Sequence, residues 1–106
     1  MLNSEKKMLL LQLDANQDTR EEIYLEALEK LQDLKFNYWN YMITEPINCD
    51  KELMRLPEAD YELCSALLTM LLREEHFCCG SFGKRCLAGQ VQPIIDRMIQ
   101  LLDNSD

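Results

Sequence analysis

The sequence predicts an all-α fold, a compact orthogonal or irregular bundle of roughly four to six helices that forms a single domain over residues 1–106. Two segments, residues 19–35 and 91–103, repeat apolar side chains at the three- and four-residue spacing of one helix face. A third segment, residues 60–77, is apolar around most of a helical circumference and is predicted to be a buried central helix. A chain of 106 residues sustains one hydrophobic core and little more.

The N-terminal segment from Ser4 to Leu13 fits a short amphipathic helix. Ser4 is suited to cap it, and its apolar surface comes from Met8, Leu9, Leu11 and Leu13. Because the run is short, a strand remains an alternative. The polar residues from Asp14 to Asp18 then predict a turn before the second helix.

The second helix is predicted over residues 19–35. Asp18 with Glu21, and Thr19 with Glu22, have the capping-box spacing that satisfies the free amides at the start of a helix. Apolar residues recur along one side of this helix at three- and four-residue spacing. The predicted buried side consists of Ile23, Ala27, Leu31 and Leu34.

The opposite side of the second helix is an acidic stripe formed by Glu22, Glu26, Glu29 and Asp33. These carboxylates fall within a narrow sector of the helix, and like charges at this spacing repel one another. The acidic stripe is therefore interpreted either as a solvated helix face or as a docking face for a basic partner.

Aromatic side chains are concentrated between residues 36 and 43, and Tyr38, Trp39 and Tyr41 are the candidate interaction residues among them. Tyrosine and tryptophan combine a large apolar area with a polar group, and they anchor many protein interfaces. In a small domain the same side chains also serve to cover the core. Two interpretations therefore remain open: core packing, or a surface for a partner or a second copy of the chain.

Proline and glycine set the remaining connections. Pro46 and Pro57 interrupt the chain around one helical turn predicted from Asp50 to Arg55. Gly89 suits the left-handed position that ends a helix. The last helix, which tolerates Pro93 in its first turn, is predicted to bury Val91, Ile94, Ile95, Met98, Leu101 and Leu102.

The central helix is apolar over roughly two thirds of its circumference. The side chains concerned are Leu63, Cys64, Ala66, Leu67, Leu68, Met70, Leu71, Leu72 and Phe77. Its polar side is narrow and consists of Glu62, Ser65, Thr69, Arg73 and His76. A helix of this kind must be covered by other helices, so the rest of the chain is expected to pack around it.

Glu74 and Glu75 project into the apolar sector of the central helix, where an unpaired carboxylate is costly. Three explanations compete. The helix ends near Arg73 and releases both residues to solvent, or one of the two is a buried functional carboxylate. Alternatively, the pair lies at the rim of the core and bonds to turn amides or to the side chains of Arg73, Lys84 or Arg85.

The C-terminal part of the chain resembles a bacterial family of small uncharacterised proteins, a domain family of unknown function. The family pattern L-T-x3-R-x-E-x-F-x2-G falls on Leu68, Thr69, Arg73, Glu75, Phe77 and Gly80. A second glycine before an apolar helix corresponds to Gly89. The resemblance implies an order of elements but no activity. It also implies a fixed structural partner for Glu75, either Arg73 or the amides around Gly80.

A metal- or thiol-dependent site is the main alternative function, because zinc accepts all four side chains of His76, Cys78, Cys79 and Cys86. The spacing lacks a CxxC pair, however, and cysteines of this kind usually serve as small buried hydrophobic residues. We predict no catalytic residue, no resident metal and no cofactor. A possible ligand pocket at the end of the central helix is expected to be lined by Arg73, Glu75 and His76.

The net charge of −8 repels phosphate backbones and anionic lipid surfaces, so neither a nucleic acid nor a membrane is predicted as a partner. No export signal is recognised around Lys6 and Lys7, and reduced thiols in the cytoplasm are expected. We therefore predict a small acidic cytoplasmic protein that is not an enzyme and binds another protein or forms a homodimer. Small acidic proteins also occur in phages and mobile elements as inhibitors of basic targets, which is an analogy of class only.

Overall fold

A computed structural model describes residues 2–16 and 20–104 of the chain, without the side chains of residues 16 and 104. The described residues contain no strand, and the predicted all-α fold is confirmed. Two short 3-10 helices span Tyr38–Tyr41 and Leu56–Glu58. The α-helices are α1 (Asn3–Asn16), α2 (Glu21–Leu31), α3 (Cys49–Leu53), α4 (Tyr61–Phe77), α5 (Ser81–Leu87) and α6 (Gln92–Asn104).

Helix α4 is the predicted central helix, and every residue from 64 to 72 is buried. Asp60 caps its start, because the Asp60 side chain accepts a hydrogen bond of 2.8 Å from the Leu63 amide. Helices α2, α3, α5 and α6 and the first 3-10 helix all pack against α4, while α1 packs against α2 and α6. The core therefore surrounds one helix on all sides.

Two details of α4 differ from the prediction. Ser65 and Thr69, expected on the polar side, are fully buried. Their hydroxyls donate to the carbonyls of Tyr61 and Ser65 one turn earlier, at 3.2 and 2.8 Å, so no polar group is left without a partner by their burial. Phe77, expected in the apolar sector, is instead 86% exposed, because the last turn of the helix extends beyond the core.

Helix α1 shows that the N-terminal segment is a helix rather than a strand. It buries Leu10 and Leu13, whereas Met8 remains 62% exposed. At the other end of the chain, Gly89 adopts the predicted left-handed conformation (φ +75°) after α5. Helix α6 buries Ile94, Ile95, Met98 and Leu102 as predicted, with Val91 buried just before it, whereas Leu101 is only partly buried.

Helix α2 is shorter than predicted. Of the two expected capping boxes, Asp18 and Thr19 lie outside the described residues, and the helix begins at Glu21. It ends at Leu31 because Gln32 turns into the left-handed region at φ 61° and its amide bonds to the Glu29 carbonyl at 3.1 Å. The buried side also differs, since Ile23, Ala27 and Leu34 are only partly buried and the fully buried residues are Tyr24, Leu28 and Leu31.

Because α2 ends early, Asp33 does not belong to the acidic stripe. Its side chain is buried and accepts hydrogen bonds from the Tyr61 hydroxyl at 2.7 Å and from Lys6 Nζ at 3.4 Å. Lys6 Nζ also lies 5.2 Å from the centroid of the Tyr61 ring. Burial, together with Asp33, raises the pKa of the Tyr61 hydroxyl well above its usual value. Asp33 thus joins α1 and α4 to the exit of α2.

Replacing Tyr61 with phenylalanine removes the shorter hydrogen bond to a buried carboxylate. We expect Tyr61→Phe to lower the free energy of unfolding by about 1–2 kcal/mol, as measured by urea denaturation. Tyr38→Phe is the matched control, since the Tyr38 hydroxyl makes no hydrogen bond within the described ranges. Equal stability losses in the two variants would contradict a structural role for the bond between Tyr61 and Asp33.

A second carboxylate contact, between Asp14 of α1 and Asp96 of α6, destabilises the folded chain because the two groups carry like charge. Asp14 Oδ1 is buried without a hydrogen-bond partner in the described part of the chain. Burial, followed by the charge of Asp96 and a hydrogen bond with it, raises the pKa of Asp14 above its ordinary value of 3.8. Folded Asp14 therefore binds its proton more tightly than the unfolded chain does. The resulting penalty is greatest above the raised pKa and disappears as the pH falls towards 3.8.

Asp96→Asn removes the facing charge and supplies an amide donor. We expect it to raise the free energy of unfolding at neutral pH by about 1 kcal/mol. The gain over the unmodified protein should shrink as the pH is lowered through the titration of Asp14, which urea denaturation at several pH values measures. Glu29→Gln, which removes an exposed charge, serves as the control and should show no such pH dependence. A gain that is independent of pH would contradict the pairing of Asp14 with Asp96.

Candidate functional site

The aromatic segment is a surface feature for the most part. Tyr38 packs partly buried against the core, and its ring meets the Trp39 ring edge-on at 5.6 Å between centroids. Trp39 itself is 56% exposed, and Phe36 and Ile43 are 71% and 72% exposed. Of the two interpretations left open by the sequence, core packing therefore applies to Tyr38 and surface display to Trp39. The partner surface predicted for this segment stays a prediction, with Trp39 exposed to serve it.

An open groove of about 420 Å³ follows directly on the 3-10 helix. We call it the aromatic groove, and its lining residues are Trp39, Met42, Ile43, Thr44, Glu45, Pro46 and Ile47. All of them come from one stretch of chain, which runs from Trp39 in the first 3-10 helix to Ile47 just before α3. The shape of the groove therefore depends on how firmly this single stretch is held.

The side chain of Glu52, on α3, holds it. Glu52 is fully buried and accepts hydrogen bonds from the amides of Ile43 and Thr44, at 3.0 and 2.7 Å, and from the Thr44 hydroxyl. Its other oxygen accepts from Arg55 at 2.8 Å, and the same guanidinium nitrogen donates to the Tyr41 carbonyl at 2.7 Å. One buried carboxylate thus satisfies several donors of the groove and ties them to α3.

Burial alone would raise the pKa of the Glu52 carboxyl, but the hydrogen bonds from Thr44, Arg55 and Ile43 outweigh it and lower the pKa below its usual value. Glu52 is therefore charged at neutral pH and can accept all of these bonds. The Thr44 hydroxyl also accepts a bond of 2.8 Å from the Asn48 amide. The Asn48 side chain in turn caps α3 by accepting from the Lys51 amide at 3.0 Å.

The acidic stripe is reduced to three exposed residues of α2: Glu22, Glu26 and Glu29. Glu26 also pairs with Lys30 one turn later, at 3.2 Å. Only Glu22 and Glu29 therefore present charges that no neighbouring lysine on the helix offsets. The aromatic groove is the more developed of the two predicted interaction surfaces, since it has both a shape and a fixed backbone.

The end of α4 matches the rim explanation for Glu74 and Glu75. Glu74 accepts from Arg85 through both oxygens, at 2.6 and 2.8 Å, and this pairing outweighs burial and lowers the pKa of Glu74. Glu75 accepts from the amides of Gly80 and Phe82 at 2.6 and 3.0 Å, which lowers its pKa. The amides around Gly80 are thus the fixed partner of Glu75 that the family resemblance implied.

Arg85 extends this arrangement beyond the rim. Besides Glu74 it contacts Asp50 at 2.9 Å and Gln90 at 3.0 Å, so it joins α3, α4 and α5. Cys49 lies beside Glu74, and burial, followed by the Glu74 charge, raises the pKa of its thiol to about 11. Cys49 is therefore protonated and a poor nucleophile at neutral pH.

The pocket predicted from Arg73, Glu75 and His76 stays a prediction, and the structure gives the surroundings of the three side chains. Glu75 is bound by backbone amides, Arg73 is partly buried and His76 is exposed. None of the three side chains lines the aromatic groove.

The alternative metal site of His76, Cys78, Cys79 and Cys86 is not assembled. Within residues 2–16 and 20–104, no three histidine, cysteine, aspartate or glutamate side chains come together as ligands. Cys78, Cys79 and His76 are exposed at the end of α4, whereas Cys86 is partly buried on α5. All five cysteines lie in the described ranges and are thiols rather than disulfides. In the part of the chain that the structure describes, no helix has the length and apolar composition needed to cross a bilayer.

Comparison with known protein families extends this description. The model of a family of unknown function, DUF6508, matches residues 3–104. The chain belongs to this family. The match confirms the resemblance to a small uncharacterised family and extends it to the N-terminal half, where the sequence suggested no likeness. No curated protein and no solved structure matches this DUF6508 chain.

Two residues that shape this DUF6508 domain have no recognisable signal in the sequence. Glu52 resembles any solvated glutamate of a short helix, because the amides of residues 43 and 44 that it binds come close only in the folded chain. Ile47, which is 37% exposed in the groove, lies in a segment that the sequence predicted only as a turn. The only available hint was Asn48, whose spacing from Lys51 is that of a helix cap.

Removing the charge of Glu52 should loosen the groove. We expect Glu52→Gln to lower the free energy of unfolding by about 3 kcal/mol, because it leaves Arg55 without its buried counter-charge. Hydrogen exchange should accelerate at the Ile43 and Thr44 amides. Glu58→Gln, at an exposed position of the adjacent 3-10 helix, is the control and should stay within about 0.5 kcal/mol. Unchanged exchange at Ile43 and Thr44 in the Glu52 variant would refute the anchoring role.

Proposed function

We propose that this protein is a non-enzymatic protein-binding module whose docking surface is the aromatic groove. The observation that carries the proposal is the exposure of Trp39, Ile43 and Ile47 on a backbone segment fixed by a buried carboxylate. A segment that only covered the core would turn these side chains inward, as it does Tyr38. Tryptophan and tyrosine are also the side chains most often responsible for binding energy at protein interfaces.

The fixed backbone matters because association costs conformational freedom. A flexible loop would lose that freedom on binding, whereas the groove is already ordered by the bonds of Thr44 and Ile43 to Glu52. Only the rotamers of the exposed side chains remain to be restricted. The groove therefore has the two properties of a preformed docking surface, exposed apolar area and a rigid frame.

The charges and thiols of the chain support the rest of the proposal. The net charge of −8 opposes binding to phosphate backbones and to anionic lipids, which favours a protein as the partner. Cysteines kept as thiols fit a reducing compartment, so we propose a cytoplasmic location. Glu74 and Glu75, the carboxylates most suggestive of chemistry, are each occupied by structural bonds.

Photo-crosslinking tests the docking surface. A photo-reactive residue is placed at Ile43 in the groove and, as a control, at Leu87, which is also apolar and 83% exposed but lies on α5. In a lysate of the source organism, we expect the Ile43 position to capture a discrete partner that the Leu87 position does not. Mass spectrometry of the crosslinked species identifies it. Capture of the same proteins at equal yield from both positions would overturn the proposal.

Truncation of Trp39, the aromatic residue of the groove, should weaken this capture. Trp39→Ala is expected to weaken binding of the crosslinked partner by roughly 30-fold, the effect of losing an interface anchor. Phe36→Ala is the matched control, because Phe36 is 71% exposed but does not line the groove. Equal losses in both variants would indicate non-specific apolar contact. A dominant crosslink between two copies of the chain would show that the groove serves self-association instead.

A further inference from the structure

A second cavity lies beside the aromatic groove and differs from it in character. It measures about 350 Å³ and is lined by Tyr41, Arg55, Glu58, Asp60 and Leu63. Tyr41 belongs to the same 3-10 helix as Trp39, only two positions further along, so one turn of chain borders both depressions. We call the second depression the acidic cavity, because of the carboxylates at its edge.

The carboxylates of the acidic cavity are available to a partner. Glu58 and Asp60 are both exposed, and neither pairs with a basic side chain within the described ranges. One oxygen of Asp60 accepts the Leu63 amide that starts α4, and the other oxygen is not used by that bond. Arg55, the only basic side chain of the lining, is already committed to Glu52 and to the Tyr41 carbonyl.

The groove itself carries the same sign of charge. Glu45 is its one charged lining residue, and it is exposed with no ion pair in the described part of the chain. The aromatic groove and the acidic cavity together thus combine apolar lining residues with the carboxylates of Glu45, Glu58 and Asp60. A partner with matching chemistry must offer an apolar side chain together with positive charge, since charge complementarity both steers association and excludes wrong partners.

From this juxtaposition, and resting on the proposed function, we infer that the partner is a basic protein segment. An apolar side chain of that segment occupies the aromatic groove, and a lysine or arginine side chain enters the acidic cavity between Glu58 and Asp60. A second copy of the chain fits less well, because each copy carries a net charge of −8 and would bring Glu45 towards like charge. The inference therefore selects a basic partner over a homodimer.

Selection from a random library of short displayed peptides tests the inference without a known partner. Peptides are selected on the unmodified protein and, in parallel, on Trp39→Ala. We expect those enriched only on the unmodified protein to combine lysine or arginine with a central apolar residue. Peptides of neutral or acidic composition would overturn the inference and leave the groove as a docking surface. Failure to enrich any peptide over the Trp39→Ala selection would overturn the proposed function as well.

Matched charge variants then locate the interaction. The first is Glu45→Gln, Glu58→Gln and Asp60→Asn combined, in which asparagine preserves the cap of α4. The second is Glu22→Gln, Glu26→Gln and Glu29→Gln, which removes the same charge from α2. Fluorescence of Trp39, the chain's single tryptophan, reports binding of the selected peptides directly at the groove.

We expect the first triple variant to bind the selected peptides about tenfold more weakly, with a reduced dependence on salt. The α2 variant should bind them with little change. Equal weakening in the two variants would show that only the total charge matters, and would overturn the assignment of the acidic cavity. Full retention of affinity in the first variant would do the same. Circular dichroism and urea denaturation confirm that each variant is folded before its affinity is compared.

Discussion

The burial of α4 on all sides is the constraint on which the rest of the structure depends. Helix α4 has 17 residues, and its buried middle needs packing elements on every side. A chain of 106 residues can supply only a few such elements. The neighbours are consequently short, and the connections between them pass close to the core. Backbone donors in such connections cannot be left without acceptors, because a buried amide that lacks a partner costs free energy.

Two carboxylates around α4, Glu52 and Glu75, solve that problem by accepting from backbone amides, and two more, Asp33 and Glu74, bind side chains. Asp33 binds side chains from α1 and α4, and Glu52 binds the amides that precede α3. Glu74 binds Arg85, and Glu75 binds the turn between α4 and α5. A carboxylate accepts several hydrogen bonds through two oxygens, so one side chain can fix a whole turn. Part of the acidic composition of this protein is therefore internal architecture, and only the remainder is surface charge.

The sequence predicted the helices well where the spacing of apolar residues indicates which side chains are buried. Residues 64–72 and the apolar stripe of α6 leave little freedom, because their periodicity suits only a covered helix. The failures at Asp33 and Glu52 share one physical cause, which is that a hydrogen bond between residues far apart in the sequence has no local signature. Asp33 looked like part of a charged stripe because its partners Tyr61 and Lys6 lie 28 and 27 positions away. The aromatic groove was only half foreseen for a similar reason, since the amides of Ile43 and Thr44 are held by Glu52, nine and eight positions later in the sequence.

The anchoring of the groove by Glu52 separates two tasks that many binding loops combine. The backbone of the groove is held because Glu52 accepts hydrogen bonds from its amides and from Arg55. The exposed apolar side chains of the groove include Trp39, Ile43 and Ile47. These exposed side chains contribute nothing to the bonds that fix the turn. Descendants of this chain can therefore exchange these side chains without endangering the fold. Under the proposed function, such exchanges would change the partner while the scaffold of the family stays constant.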